Sequence, residues 1–470
     1  MKIAASTDVG MRTLRERSWS WVLRHLVLPL GDRIFAQGLM NRLKFLERAQ
    51  WWPQERLANE RNRALQSLIH ITYAEVPFYR ELMDKASIRS EDIRTADDLV
   101  RLPMVTKQML RDGYPTRVTR DSGRKTFESA TSGSTGTNFR FLLDSETVGW
   151  YRASFMLALE WAGWIVGEPH LQTGITYTRS FDRRLKDHLL HCHYVPANDL
   201  SDSRLDENLE LMERYGIGHL WGYPGSLYFI ARRALERGWN RPLKSVVTWG
   251  DNLYPHYRNT IEKAFGVRVH DTYGCSEGMQ IAAQCGTGGT YHIHTLDTIT
   301  EFLDDSGLPV AAGQPGNIVL TRLHPGPMPF LRYRVGDVGT GGRIQVCACG
   351  RGYPTMEGIQ GRDTDVVVTP SGRRLIVHFF TGVLEHFKEI ESFQVVQESL
   401  DSIVLRVVPA IRPSSEIADR IVEKLKQTGA SDLNIEVMFV DEIPLTPGGK
   451  RRFILSNIVG AKSSDRRTPG

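Results

Sequence analysis

Asp271-Thr272-Tyr273-Gly274-Cys275-Ser276-Glu277-Gly278 follows directly on Val267 to His270, a short β-branched run that reads as a strand. A strand end opening into a glycine-containing turn is where α/β proteins bind ligands. An aromatic ring there can stack on a base, and a carboxylate can hold Mg²⁺ against polyphosphate. Ser245 to Trp249 before Gly250 reads as a buried strand and Ile318 to Leu320 as another. Leu205 to Tyr215 and Tyr257 to Phe265 read as helices between such runs. That alternation predicts α/β layers.

Outward from this stretch, Ser129-Ala130-Thr131-Ser132-Gly133-Ser134-Thr135-Gly136-Thr137 packs hydroxyls and glycines into one loop. Such a loop offers backbone N–H and hydroxyl donors suited to phosphates. No Gly-Lys-Ser/Thr follows, so it is not a Walker loop, and a plain surface turn is the other reading. Arg332-Tyr333-Arg334-Val335-Gly336-Asp337 places an acid after a glycine, where it can accept from ribose hydroxyls. Pro444-Leu445-Thr446-Pro447-Gly448-Gly449-Lys450 presents one lysine on a turn near the C-terminus. Taken singly, each has an ordinary explanation: a buried tyrosine, a solvated acid, a surface lysine.

The chain has 470 residues, 41% of them hydrophobic and 24% charged, which exceeds a single domain and excludes fibrous or disordered classes. A net charge of +5 is too dilute to call for nucleic acid. Five cysteines, an odd number, argue against a disulfide framework and for a reducing, cytoplasmic setting. No stretch reaches the ~18 apolar residues of a membrane span. Trp19 to Leu30 is broken by Arg24, His25 and Pro29 and makes a poor signal peptide. It reads as an amphipathic helix packed on the main body, with peripheral membrane contact as the alternative.

Residues 1–120 read as a helical region, with breaks at Val76-Pro77 and Leu102-Pro103. Residues 121–361 form the α/β core, Gly358 to Arg362 the joint, and 362–461 a small α+β domain. In that domain Val366 to Val368 and Leu375 to Val377 form a hairpin, and Ser415 to Lys426 an amphipathic helix. Residues 462–470 are a polar tail.

The order and distance of these motifs resemble the adenylate-forming superfamily of acyl- and aryl-CoA synthetases. More narrowly, Val76-Pro77-Phe78-Tyr79-Arg80, Leu102-Pro103…Thr106-Lys107 and Met328-Pro329-Phe330-Leu331-Arg332-Tyr333 resemble the phenylacetate–coenzyme A ligase family. The resemblance spans roughly residues 65 to 455. It implies a large N-terminal domain of layered sheets and helices with a mobile C-terminal domain. It also implies ATP-dependent conversion of a small carboxylic acid to acyl-AMP, then transfer to coenzyme A.

By that resemblance Thr131, Ser132, Gly133, Ser134, Thr135 and Gly136 hold the β,γ-phosphates. Glu277 holds Mg²⁺, and Ser276 lies near the α-phosphate. Tyr273 stacks on adenine, with Gly250, Asp251, Asp271, Thr272 and Gly274 along its edge. Asp337 and Arg362 hold the ribose. Lys450 neutralises charge between carboxylate and α-phosphate. Trp221-Gly222-Tyr223-Pro224 falls where the family builds its acid-binding wall, and a packing role for Trp221 and Tyr223 is equally open.

Cys285-x6-His292 and Cys347-x-Cys349 offer three thiolates and an imidazole, a closed set suited to a structural Zn²⁺. His294 is an alternative ligand, and His191-Cys192-His193 a weaker cluster. Two departures stand out. The family's Gly-Arg-x-Asp-Asp hinge is Gly361-Arg362-Asp363-Thr364-Asp365 here, and the next loop is Pro370-Ser371-Gly372-Arg373-Arg374. Both resemble a capsule-biosynthesis branch with less uniform acceptors, so an amine, hydroxyl or carrier-protein thiol is the second reading. A non-catalytic scaffold is a third. A second copy of the chain is admitted as a partner.

Overall fold

Runs rich in Val, Ile and Thr between amphipathic stretches become the strands and helices of a layered α/β molecule. The computed structural model describes residues 14–131, 139–174, 179–197, 200–287, 289–342, 347–362, 366–371, 374–384, 387, 389–410, 416–444, 452–456 and 458. An eleven-stranded sheet runs Cys192–Pro196, His170–Gly174, His219–Gly222, Ser245–Thr248, Val269–Cys275, Met279–Gln284, Tyr291–Ile293, Thr355–Arg362, Tyr333–Gly341, Pro315–Arg322, Thr298–Leu303. The first five strands are parallel to one another, and from Met279–Gln284 onward the pairing is antiparallel.

All four residues of Ser245–Thr248 are buried, as expected of a parallel strand covered on both faces. Alternation divides them: Val246 and Leu220 pack with Leu209, Ile230 and Ile261 from the crossover helices. Val247 and Trp221 pack on the opposite face with Leu23 and Trp164. From His170–Gly174 the chain moves outward to Cys192–Pro196, then returns to place His219–Gly222 on the other side. Strand order thus reverses between His170–Gly174 and His219–Gly222, which opens a crevice beyond their carboxyl ends.

The N-terminal region carries the helices Leu39–Ala49, Gln54–Glu75, Pro77–Lys85 and Lys107–Gly113. Val76 and Leu102 are extended, as residues before proline should be. Gly358 to Arg362, read as a joint, makes up the last five residues of the eight-residue strand Thr355–Arg362. Val366–Val368 pairs with Arg374–Ile376. Beyond lies a four-stranded sheet ordered Asn434–Phe439, Ser402–Pro409, Ile390–Ser399, Ile454–Ser456. The helix Ile417–Leu425 buries Ile417, Ile421 and Leu425 on it, at the spacing of one helical face. Phe453 packs its ring 4.6 Å from that of Tyr254, and Glu391 lies 3.4 Å from Arg232, seating this unit on the helices of the parallel half. No helix among the described residues is long and apolar enough to cross a membrane.

Candidate functional site

The strand Val269–Cys275 is the boundary between the parallel and antiparallel halves, and the motif that opened the sequence reading occupies its carboxyl end. Tyr273 is buried, and its hydroxyl donates to Asp337 Oδ2 at 2.7 Å. Burial and the neighbouring Asp337 carboxylate push the phenol well above its ordinary pKa, so it stays a donor. Asp337 sits half-buried beside Gly336, whose φ of +92° calls for glycine. Its register partner across the ladder is Arg362, so the fold brings the two expected ribose residues opposite each other.

Asp271 and Thr272 are both buried. Thr248 and Tyr291 hydroxyls each donate to Asp271 at 2.5 Å, and Thr272 Oγ1 donates to Thr248 O at 2.9 Å. Burial raises the Asp271 carboxyl to about 6 despite these two donors. Gly274 is tight for a side chain, because a Cβ there would lie 3.0 Å from Met279 O. Ser276 is exposed at the mouth of the turn, and Gly250 has a φ of +76° with the Tyr223 ring against it. Asp251 caps the backbone N–H of Asn252 at 2.9 Å.

Glu277 is almost fully buried, and Oε1 accepts from Tyr333 at 2.6 Å with Lys107 Nζ 3.7 Å away. Arg322, fully buried, donates to the Glu277 carbonyl at 2.8 Å and to Met328 O at 2.6 Å, which fixes the turn. Lys107, Tyr333 and Arg322 had not been singled out from sequence as site residues. Lys107 and Tyr333 stand in strings that carry the family resemblance, Tyr333 also in the string ending in Gly336-Asp337, and Arg322 carries no sequence signal. A buried carboxylate backed by a phenol and an ammonium suits a divalent cation, whose charge would replace that of the lysine.

Several expected residues lie outside the description: Ser132, Gly133, Ser134, Thr135, Gly136 and Lys450. For Thr131 and Arg362 the backbone alone is described. The strands flanking the hydroxyl-rich loop, Thr126–Thr131 and Phe139–Asp144, pair antiparallel.

At the expected acid wall, Gly222 leaves only 1.8 Å between a would-be Cβ and Thr173 Oγ1, and the Tyr223 N–H donates to that same oxygen at 3.2 Å. Pro224 opens the helix Pro224–Glu236. Tyr223 stands at the crevice where strand order reverses. Trp221 has the packing role, buried with its ring stacked 3.9 Å from His170 and edge-on to Trp164. The alternation along its strand turns it toward the N-terminal helix.

The Cys/His set assembles. The ligand atoms of Cys285, His292, Cys347 and Cys349 all lie within 4.8 Å of one another. Cys285 and Cys347 sulfurs are 3.6 Å apart, close to the ~3.8 Å edge of a tetrahedron with Zn–S bonds of about 2.3 Å. His292 Nδ1 faces Tyr353 O at 3.3 Å, leaving Nε2 toward Cys349 Sγ at 3.3 Å. Burial alone would raise the Cys285 thiol, but hydrogen bonds from His292 and Thr287 bring it to about 5, favouring the thiolate a metal needs. The donors fit Zn²⁺. His294 is not in the set and stacks on Trp161 instead. His191 turns to Gly167 O and His193 to the Tyr215 ring, so that cluster does not assemble.

The family described as the CapK C-terminal domain matches residues 367–457. The chain is 25% identical to the phenylacetate–coenzyme A ligase of Thermus thermophilus over 445 residues, covering 86% of this chain and 97% of that one. It is 22% identical to protein CapK of Staphylococcus aureus over 449 residues, covering 93% and 97%. Its fold is that of 2-hydroxyisobutyryl-CoA ligase in the postadenylation state, with a TM-score of 0.72 at 19% identity over 87% of this chain and 92% of that one. Against the same enzyme in the thioesterification state the TM-score is 0.56.

Proposed function

We propose that this homologue of the phenylacetate–coenzyme A ligases and of CapK is an AMP-forming acid ligase that converts a small carboxylic acid, aryl or related, to acyl-AMP. The observation that carries the reading is the convergence of two groups at one strand end: Tyr273 with Asp337, and Glu277 with Tyr333 and Lys107. The first suits a nucleoside and the second a polyphosphate with its cation. The crevice beside Tyr223 offers the acid a place at the carboxyl ends of the same sheet.

In the reaction a carboxylate oxygen attacks the α-phosphorus of ATP, and the bond to the pyrophosphate oxygen breaks. Two anions must meet, so positioning and charge neutralisation dominate the barrier. Asp337 accepts from ribose hydroxyls, with Arg362 beside it. Tyr273 presents its ring to adenine, along an edge made by Gly250, Asp251, Thr272 and Gly274. Glu277 and the phosphates would hold Mg²⁺, which supplies positive charge there. The loop from Thr131 to Gly136 donates to the β,γ-phosphates, and Lys450 approaches the reacting carboxylate and α-phosphate. A thiolate, that of coenzyme A, then attacks the acyl carbonyl and AMP departs. Zn²⁺ held by Cys285, His292, Cys347 and Cys349 would be structural, since a closed set leaves no position for water. We place the enzyme in the cytoplasm.

A second acceptor class is favoured by one observation. The C-terminal unit matches the CapK domain, and Thr364 and Arg373-Arg374 depart from the thioester pattern. An amine, hydroxyl or carrier thiol then replaces coenzyme A.

The experiment is a carboxylic-acid panel with ATP, Mg²⁺ and hydroxylamine. One acid class should give hydroxamate with equal AMP and pyrophosphate. ADP formation, or no acid-dependent nucleotide turnover, would overturn the proposal. With the active acid, acyl-CoA by mass spectrometry selects the first acceptor, and its absence selects the second.

A further inference from the structure

From Leu14 to Phe35 the chain is helical throughout, passing through a π-turn at Leu23–Val27. One side is anchored. Leu23 is fully buried, with Trp19, Val27 and Leu28 packed around it against Trp164 and Trp221. Trp19 Nε1 donates to Leu189 O at 3.1 Å, and Ser20 Oγ to Val166 O at 2.6 Å.

Among the described residues, the other side is bare. Trp21, Leu26, Leu30, Ile34 and Phe35 are between 56% and 69% exposed. The π-turn widens the step from Trp21 to Leu26 to five residues, after which the apolar positions recur every four. At 1.5 Å per residue the helical span reaches about 33 Å. Single exposed apolar residues are ordinary on a protein surface, but five bulky ones along one short segment mark an interaction surface.

Among the described side chains from Ser18 to Ala49, the exposed formal charges are all basic. His25 and Arg33 are exposed among the apolar residues, and the next helix, Leu39–Ala49, exposes Lys44 and Arg48. The acids between Trp19 and Ala49 are Asp32 and Glu47. Asp32 accepts from the backbone N–H groups of Leu39 and Met40 at 2.7 and 3.0 Å, and Glu47 is paired with Arg24. Neither carboxylate is presented beside the apolar stripe.

We infer that this face docks on an anionic lipid bilayer. The helix lies in the plane of the surface, with Trp21, Leu26, Leu30 and Ile34 at the boundary of headgroups and acyl chains and Arg33 among the phosphates. A second copy of the chain is the poorer occupant. Self-pairing would set Arg33, Lys44 and Arg48 against their own copies, with no exposed carboxylate between Trp19 and Ala49 to answer them. The inference is independent of the reaction proposed above.

The test is co-sedimentation of the full chain with extruded vesicles of phosphatidylcholine alone, or with about 30% phosphatidylglycerol. Binding should be about tenfold stronger to the anionic vesicles and should weaken as NaCl is raised. Leu30→Glu with Ile34→Glu should reduce it about tenfold while leaving the melting temperature unchanged, because both side chains are exposed. Arg33→Glu should weaken binding to the anionic vesicles alone, which keeps the test decisive if the double variant misfolds. No sedimentation with either vesicle would overturn the inference, as would undiminished binding of the well-folded double variant. A dimer that this double variant dissociates, without vesicle binding, would assign the face to a second copy instead.

Discussion

The Tyr273 hydroxyl donates to Asp337 Oδ2 at 2.7 Å, tying the carboxyl end of one strand to an acid 64 residues further along the chain. This bond holds an aromatic face and a carboxylate in a fixed mutual position, which is what one nucleoside needs at its base and its sugar. If Asp337 accepts from ribose, Asp337→Ala should raise KM for ATP about tenfold, the loss of a charge-assisted hydrogen bond. Tyr273→Phe keeps the ring and should raise that KM by no more than about threefold, whereas Tyr273→Ala should raise it further. Steady-state pyrophosphate release checks all three, and an unchanged KM in Asp337→Ala would remove the ribose role.

Glu277 leads to a sharper expectation, because its carboxylate is almost fully buried yet faces Lys107 and Tyr333 on the same oxygen. Glu277→Gln should lower kcat/KM for adenylation about a hundredfold and raise the Mg²⁺ concentration for half-maximal rate. Tyr333→Phe removes one hydrogen bond and should cost about tenfold. Titrating Mg²⁺ against pyrophosphate release separates the cation role from a structural one. A Glu277→Gln enzyme with wild-type Mg²⁺ dependence would exclude it.

Much of this was legible before folding, and what was missed has identifiable causes. The glycines were readable because their neighbours demand them: Gly222 abuts Thr173, and Gly250 has a positive φ. The nucleotide motifs were readable because each is local and their order is fixed. Tyr333 and Glu277 are 56 residues apart, and only the antiparallel half of the sheet brings them together. Arg322 looked like any strand-end arginine, though it is fully buried and fastens the Glu277 turn. The facing of Trp221 was unreadable for a different reason. A strand buried on both sides has no polar face to mark which layer a residue joins.

A buried cluster at the amino ends of the parallel strands sets a pH prediction. Glu168 receives His219 Nε2 at 3.0 Å and Lys244 Nζ at 3.0 Å, while His219 Nδ1 meets Ser245 Oγ at 2.8 Å. Burial alone would raise the Glu168 carboxyl, but the hydrogen bonds to His219 and Lys244 outweigh it and hold it at about 2. A depressed carboxylate stabilises the fold above its unfolded value near 4.3 and loses that contribution as pH falls toward 2. Glu168→Gln should therefore be less stable than wild type at neutral pH, and the difference should shrink between about pH 4.5 and 2. Denaturant melts across that range check the sign, and a constant gap would show that the carboxylate charge is irrelevant.

Lys450 lies on the segment that the family resemblance places over the reacting phosphate. Lys450→Ala should reduce acyl-AMP formation by about a thousandfold and leave ATP affinity within about threefold, because its charge is needed chiefly in the transition state. Single-turnover pyrophosphate release against equilibrium ATP binding gives both numbers. Wild-type release would end the assignment.

The four zinc-suited residues come from two separated chain segments. The strand Tyr291–Ile293, which carries His292, pairs with Thr355 and Met356 just beyond Cys349, so the metal would clasp the antiparallel half of the sheet. Such a clasp should contribute stability rather than chemistry. Elemental analysis of purified protein should find about one zinc per chain. Chelation, or Cys349→Ser, should lower the melting temperature by about 5 °C while leaving KM for ATP within about twofold at 25 °C. Acidification should release the metal, since three thiolates and an imidazole must each stay deprotonated to bind it. Protein free of metal, or a Cys349→Ser variant that retains its zinc, would reject the site. A rise in KM that tracks zinc loss would mean instead that the clasp positions the turn at Glu277, which continues through the strand Met279–Gln284 directly into Cys285.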